Sequence, residues 1–150
     1  MPDPAVFWLD RLPFGGSAHR DTEAGPTIRR GGGLLARLPL VRIGDGVYRH
    51  ALAARVPSGV AIDLNRSCTS FDAVAGPDAV TVGQGALVFS VQGDDGEVLW
   101  RSAAVRPGDG PVRVHAPLAG RHSVRLVVER LADRWSLIDV ADWADARLTC

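Results

Sequence analysis

Lysine is absent from this chain: all seventeen of its basic residues are arginine, and seventeen acids balance them. A formal charge of zero leaves no electrostatic footprint for a polyanion, so composition argues against a nucleic-acid partner. The missing lysine reads as codon bias of a GC-rich genome, in keeping with the abundant Ala, Gly, Val and Asp. No apolar run approaches the roughly 18–20 residues of a membrane span. The start, Met1-Pro2-Asp3-Pro4, has neither a basic n-region nor an apolar h-region, so no signal peptide is expected. Catalytic signatures are missing too. There is no Gly-x-Ser-x-Gly elbow. Ser17 and His19 lie close together, but in a loop without a strand-to-helix turn to orient them. Neither His-x3-His nor Cys-x2-Cys spacing occurs, which argues against zinc. Asp94 and Asp95, or Asp142 and Asp145, are neighbours in sequence, whereas a glycosidase needs two carboxyls held across a cleft. The reading is therefore not an enzyme.

What the chain has is turns and alternation. Seventeen glycines and ten prolines punctuate a chain that is 46% hydrophobic. Val60, Ile62 and Leu64 alternate with polar or small residues, as do Phe71, Ala73 and Ala75. The same holds for Leu87, Phe89 and Val91, for Val112 and Val114, and for Val124, Leu126 and Val128. Period two marks strands with one buried face. Gly93-Asp94-Asp95-Gly96 is the strongest hairpin signal. At the C-terminus Ala144, Ala146 and Leu148 alternate with Asp145, Arg147 and Thr149. That predicts a half-buried last strand, with Trp143 at its entrance and the two ends of the molecule brought together. Residues 34–43 read as a strand broken at Pro39, and 47–56 as extended or looped, with a turn at Pro57-Ser58-Gly59. Residues 19–33 read as a long surface loop with a short strand near 27–29, and 131–140 as a loop. Strands recurring every roughly 8–12 residues without a helical period predict an all-β sandwich or jelly roll, spanning 1–150 as one domain. Cys68 and Cys150 both fall at strand ends, which is compatible with one disulfide; the alternative is two unrelated buried thiols.

Five segments together carry a resemblance. Phe7-Trp8-Leu9-Asp10-Arg11-Leu12, residues 48–64, Ser70-Phe71-Asp72-Ala73-Val74-Ala75-Gly76-Pro77-Asp78, residues 85–102 and the closing Asp139-Val140-Ala141-Asp142-Trp143-Ala144-Asp145-Ala146 occur in order along nearly the whole chain. They resemble the NPCBM (novel putative carbohydrate-binding module) domain, a family that includes carbohydrate-binding module family 51. The resemblance implies a galactose-binding-like β-sandwich and a non-catalytic module within a larger extracellular, secreted protein such as a glycoside hydrolase. Its partner would be a carbohydrate, a galactose-type or acidic glycan. A cytosolic chain is the competing reading of the missing signal peptide. A structural or protein-interaction sandwich that has lost its sugar site is the second functional reading. Folds of this kind often hold a structural calcium through loop acids. Asp21, Asp78, Asp139 and Asp142 are such acids, although a turn-capping or solvated role is preferred for each.

Sugar recognition needs an aromatic platform beside polar groups. Trp8 reads as core, Trp100 as core or half-exposed, and Trp143 as packed under the loops with its indole N–H bonded to a neighbour. Trp135, in the polar loop Asp133-Arg134-Trp135-Ser136, is the stacking candidate and is expected to be exposed. Asp139, Asp142 and Arg55, with Tyr48 and His50 beside them, are the expected hydroxyl-binding residues. The chain departs from the family pattern where this matters. The pattern's Gly-Leu-Gly-x-His-Ala reads Ala51-Leu52-Ala53-Ala54-Arg55-Val56, its Asp-His-Ala-Asp-Trp has Val140 for the histidine, and its second acid after Asp78 is Ala79. Imidazole both donates and accepts, Arg only donates, and Val does neither. If those histidines serve the family's ligand, this site cannot do the same work. Weak binding of neutral galactosides is expected there, with Arg55 favouring an acidic sugar through a bidentate carboxylate contact.

Overall fold

The computed structural model describes residues 4–15, 25–83, 85–131 and 136–150. The strands are β1 (Val6–Trp8), β2 (Thr27–Ile43), β3 (Gly46–Asp63), β4 (Ser70–Pro77), β5 (Val82–Gly83), β6 (Leu87–Gln92), β7 (Val98–Arg101), β8 (Val112–Pro117), β9 (Ser123–Arg130), β10 (Ser136–Ile138) and β11 (Val140–Thr149). A single 3-10 turn, Leu9–Arg11, is the one helical element among the described residues. The main sheet runs β7-β6-β9-β3-β11-β4-β8, with β1 added to β11 and β2 to β3. Its two ends, β7 and β8, lie against each other, so the sandwich rolls up almost into a barrel. The alternating residues named from sequence point inward as expected, except Ala144: β11 bulges at Asp145, so Ala146 and Leu148 enter the main core while Ala144 joins the outer face. Phe71, Phe89, Ile62, Leu126, Leu148 and Trp143 are all fully buried. The centre is aromatic: Trp143 meets Phe89 edge-on at 5.4 Å and Phe71 at 6.1 Å.

Four sequence expectations fail. Pro39 does not break β2, which is continuous. Around Pro39 this strand is paired with β3 on one side, and an edge strand can carry a residue without an N–H on its unpaired side. The glycine run 31–33 is not loop punctuation either. A Cβ on Gly32 would stand 2.8 Å from the Gly59 carbonyl oxygen, and Gly33 has φ +91° with Ser58 packed against it. Glycine is there because β2 and β3 approach closely. Pro57-Ser58-Gly59 is no turn: β3 runs straight through it. The break marks an exchange of neighbours, since β3 pairs with β11 over residues 52–55 and with β9 over residues 58–63. Residues 136–138, expected as loop, form strand β10 and pair with β5. The expected exposure of Trp135, and the acid Asp21, lie outside the described residues.

The last strand is inserted between others. One flank of β11 pairs with β4, and the other with β3 and then β1. The backbones of Ala5 and Cys150 exchange hydrogen bonds of 2.7 and 2.8 Å, so the two ends of the described chain sit side by side. Cys68 and Cys150 form the disulfide, 82 residues apart in sequence. Closing a loop of that length constrains the unfolded chain by about 4–5 kcal/mol in the chain-entropy account. Reduction is therefore expected to lower the denaturant midpoint by the equivalent amount. An unmoved midpoint, or two thiols alkylated in native protein without reductant, would rule the bridge out as a stabilising element.

A second, smaller cluster covers the outer face of the same strands. Val41, Ile43, Ala51 and Ala144 form it, with Leu38, Tyr48 and Val74 packed alongside. The β2–β3 hairpin thus folds over β11 and β4, and β11 is buried on both faces over residues 141–144. This second layer decides what happens to the signature residues.

Candidate functional site

Residues 140, 142 and 144 share the outer face of β11. Val140 lies directly across from Arg55 of β3, and Asp142 across from Ala53 on one side and Gly76 of β4 on the other. Asp78 continues that face, its N–H donating to the Val140 carbonyl at 2.8 Å. The structure therefore brings Arg55, Val140, Asp78 and Asp142 together on two adjacent rows. The two positions where the family pattern carries histidine, 55 and 140, are cross-strand neighbours. Arg55 is exposed and Val140 half-buried.

Asp142 is not the loop acid expected. It lies inside β11 and is fully buried. A Cβ on Gly76 would stand 2.6 Å from Ile43 Cγ2, so Ile43 roofs the position beside Asp142. Neither Asp142 oxygen has a hydrogen-bond partner of ordinary geometry among the described residues. Burial, and behind it the neighbouring Asp78 carboxyl, push the Asp142 pKa up to about 9. A carboxylic acid at neutral pH is a poor calcium ligand and cannot reach a sugar hydroxyl through its roof. Asp78 is occupied as a turn cap, with its Oδ1 accepting from Val80 N at 2.9 Å. Among the described residues no three acids, histidines or cysteines converge as a metal cluster.

The remaining expected residues scatter. The Asp139 side chain is 3% exposed and is gripped by Arg130, whose Nε donates at 2.9 Å with Nη2 beside it. Tyr48 packs into the outer apolar cluster. His50 turns the other way, in the left-handed region at φ +52°. Its ring stacks on Trp8 at 4.1 Å and 18°, and its Nδ1 lies 3.2 Å from Asp10 Oδ1. Trp8 is consequently half-buried rather than core. Trp143 is not packed under loops at a strand entrance but lies within β11 in the main core, and its indole Nε1, expected to be bonded to a neighbour, has no hydrogen-bond partner among the described residues.

Sequence reading passed over a second polar assembly. Register aligns Trp8 of β1, Arg147 of β11, Asp72 of β4 and His115 of β8 in one cross-strand row. Asp72 accepts from Ser70 Oγ at 3.2 Å and lies 2.7 Å from His115 Nδ1. Arg147 donates to the Asp145 carbonyl at 2.9 Å, and its guanidinium sits 5.9 Å from the centre of the Trp8 ring. Asp145 has φ +47°, where β11 bulges between Ala144 and Arg147. Period two marked Asp72, His115, Asp145 and Arg147 as outward. That they stand in register depends on strand order, which no local pattern carries.

This architecture defines a class: a galactose-binding-like β-sandwich of the kind used by carbohydrate-binding modules. Residues 7–149 match the family model described as "NPCBM/NEW2 domain", and the chain belongs to that family. Solved structures agree on the fold. A CBM51 module from Clostridium perfringens GH95 in complex with methyl-galactose is 16% identical with TM-score 0.66, covering 96% of this chain and 99% of that one. The second CBM51 domain of Clostridium perfringens ZmpB, solved with GlcNAc and INT domains, is 21% identical with TM-score 0.69 and covers 97% of this chain. Tandem CBM51 modules of a family 98 glycoside hydrolase from Streptococcus pneumoniae are 15% identical with TM-score 0.70, covering 97% of this chain and 47% of that one. This chain spans 31% of the ZmpB structure solved with GlcNAc. A search of curated proteins finds no match.

Proposed function

We propose that this domain is a non-catalytic carbohydrate-binding module of a longer extracellular protein, and that its signature face takes an acidic glycan. The single observation behind the ligand class is the placement of Arg55 opposite Val140, on the face where the family pattern has two histidines. An exposed guanidinium across from an apolar residue suits a sugar carboxylate better than a neutral galactose ring, whose hydroxyls ask for acceptors as well as donors. Support for sugar as the general partner comes from family membership and from the methyl-galactose and GlcNAc complexes of the CBM51 modules named above.

The alternative, a structural or protein-interaction sandwich, draws on a different observation. Asp142 is sealed and Asp139 is held by Arg130, so two expected hydroxyl acceptors are out of reach of a ligand. Calorimetry separates the readings. A sialylated or uronic oligosaccharide is expected to bind more tightly than galactose or lactose, and Arg55→Ala to weaken it by roughly tenfold, the scale of one lost charge-assisted contact. No heat with any glycan favours the interaction domain. Acidic-glycan binding untouched by Arg55→Ala would refute the assignment of this face.

A further inference from the structure

We infer that the polar cleft across β4, β8 and β11 is a second saccharide site, one that takes a neutral pyranose sugar. The inference goes beyond the signature face and does not rely on it. The cleft encloses about 420 Å3 and is lined by Asp72, Trp100, Arg113, His115, Asp145 and Arg147, with strand backbone as its floor. That volume falls within the roughly 300–1,000 Å3 of small-molecule sites.

The chemistry of the lining selects the ligand. Trp100 is half-buried, packed against the core while also lining the cleft. It offers an apolar ring surface to the C–H face of a pyranose. Asp72 and Asp145 bring carboxylates and Arg113 and Arg147 guanidiniums, so acceptors and donors alternate over a short distance. A vicinal diol needs that alternation, because each hydroxyl both donates and accepts. The two acids and two bases cancel formally. An anion entering the cleft would meet two carboxylates, and a cation two guanidiniums, so the field favours neither. Two of these polar groups are also fixed before a ligand arrives. Ser70 and His115 hold Asp72, while the Asp145 carbonyl and the Trp8 ring hold Arg147. Preorganised side chains lose little entropy on binding. The registered row from Trp8 to His115 crosses four strands, about 14 Å at the usual strand spacing. An oligosaccharide lying across the strands could therefore occupy more than one ring position.

The test is a titration of the isotope-labelled domain with lactose, cellobiose and N,N′-diacetylchitobiose to millimolar levels, followed by NMR. The expected result is a saturable shift of the Trp100 indole N–H and of the Asp72, His115 and Arg147 amides. Those shifts should be weakened roughly tenfold by Asp72→Asn and by Trp100→Ala, and unchanged in Arg55→Ala. Should Trp100→Ala fail to fold, Asp72→Asn and Arg113→Ala, both on the outer surface, decide alone. Absence of saturable shifts at the cleft with all three sugars overturns the proposal. So do shifts that persist unchanged in Asp72→Asn and Arg113→Ala. Loss of sialylated-glycan binding in Arg55→Ala speaks only to the signature face, so the failure of either reading is visible separately.

Discussion

Asp142→Asn is expected to raise the stability of the domain at neutral pH and to flatten its dependence on pH. Asp142 has an ordinary pKa of 3.8 when unfolded and about 9 when folded. Folding therefore takes up a proton anywhere between those values. The unfolded state binds fewer protons there than the native state, so the contribution of Asp142 to stability is greatest below about pH 4 and falls as pH rises toward 9. Each tenfold difference in proton affinity is worth about 1.4 kcal/mol. At pH 7 the wild-type penalty is on the order of a few kcal/mol. Asparagine keeps the shape and removes the ionisation, so most of that penalty should vanish, and with it the slope. Chemical unfolding of both proteins from pH 4 to 9 measures this. Parallel curves would mean that Asp142 is not a buried acid.

Trp143→Ala is expected to destabilise the domain by about 3–5 kcal/mol, the usual cost of emptying a large aromatic site. The side chain is fully buried against Phe71 and Phe89 at the meeting point of β11 with its neighbours. Trp143→Phe should cost much less than the alanine change. Although phenylalanine loses contact area, it also removes a buried indole N–H that has no partner among the described residues, and an unmet donor costs about 1–3 kcal/mol. Denaturant melts of the two variants give the comparison. If Trp143→Phe loses as much as Trp143→Ala, the indole N–H is satisfied in solution, and the polar edge of the signature Trp matters.

The inward faces of β4, β6, β8 and β9 were legible in sequence because alternation is a local property and one buried face enforces it; in β11 the bulge at Asp145 breaks the alternation, so Ala144 faces away from Ala146 and Leu148. Also legible were the Gly93–Gly96 turn and the pairing of the two cysteines. β2 and β3 were not, because their punctuation has tertiary causes: Pro39 sits on a free edge, Gly32 and Gly33 meet the β3 backbone, and residues 57–59 mark a change of partner. The site was only half legible. Resemblance pointed to the face that holds Arg55, Val140, Asp78 and Asp142, but placed Asp142 in the open. Its burial comes from the β2–β3 hairpin folding over the outer face, a contact that no spacing within β11 encodes. His50 was named as a neighbour of that face, yet its left-handed backbone turns it to Trp8 and Asp10. The row from Trp8 to His115 draws one residue from each of four strands, so only strand order reveals it.

The pairing of Ala5 with Cys150 also sets how the molecule would respond to tension. A pull applied to those two residues loads the β1–β11 pair at its open end, so its hydrogen bonds break in succession, as in a zipper, rather than all at once in shear. Behind Cys150 the situation differs. β11 and β4 also begin to separate at that end, Thr149 facing Ser70, but the Cys68–Cys150 bond joins them there covalently. With the bond closed, the front of unfolding is confined to the N-terminal side and must pass through β1 toward β2. Opening it lets the same force peel β11 from the middle of the sheet. The redox state of one bond thus selects which end of the domain yields first.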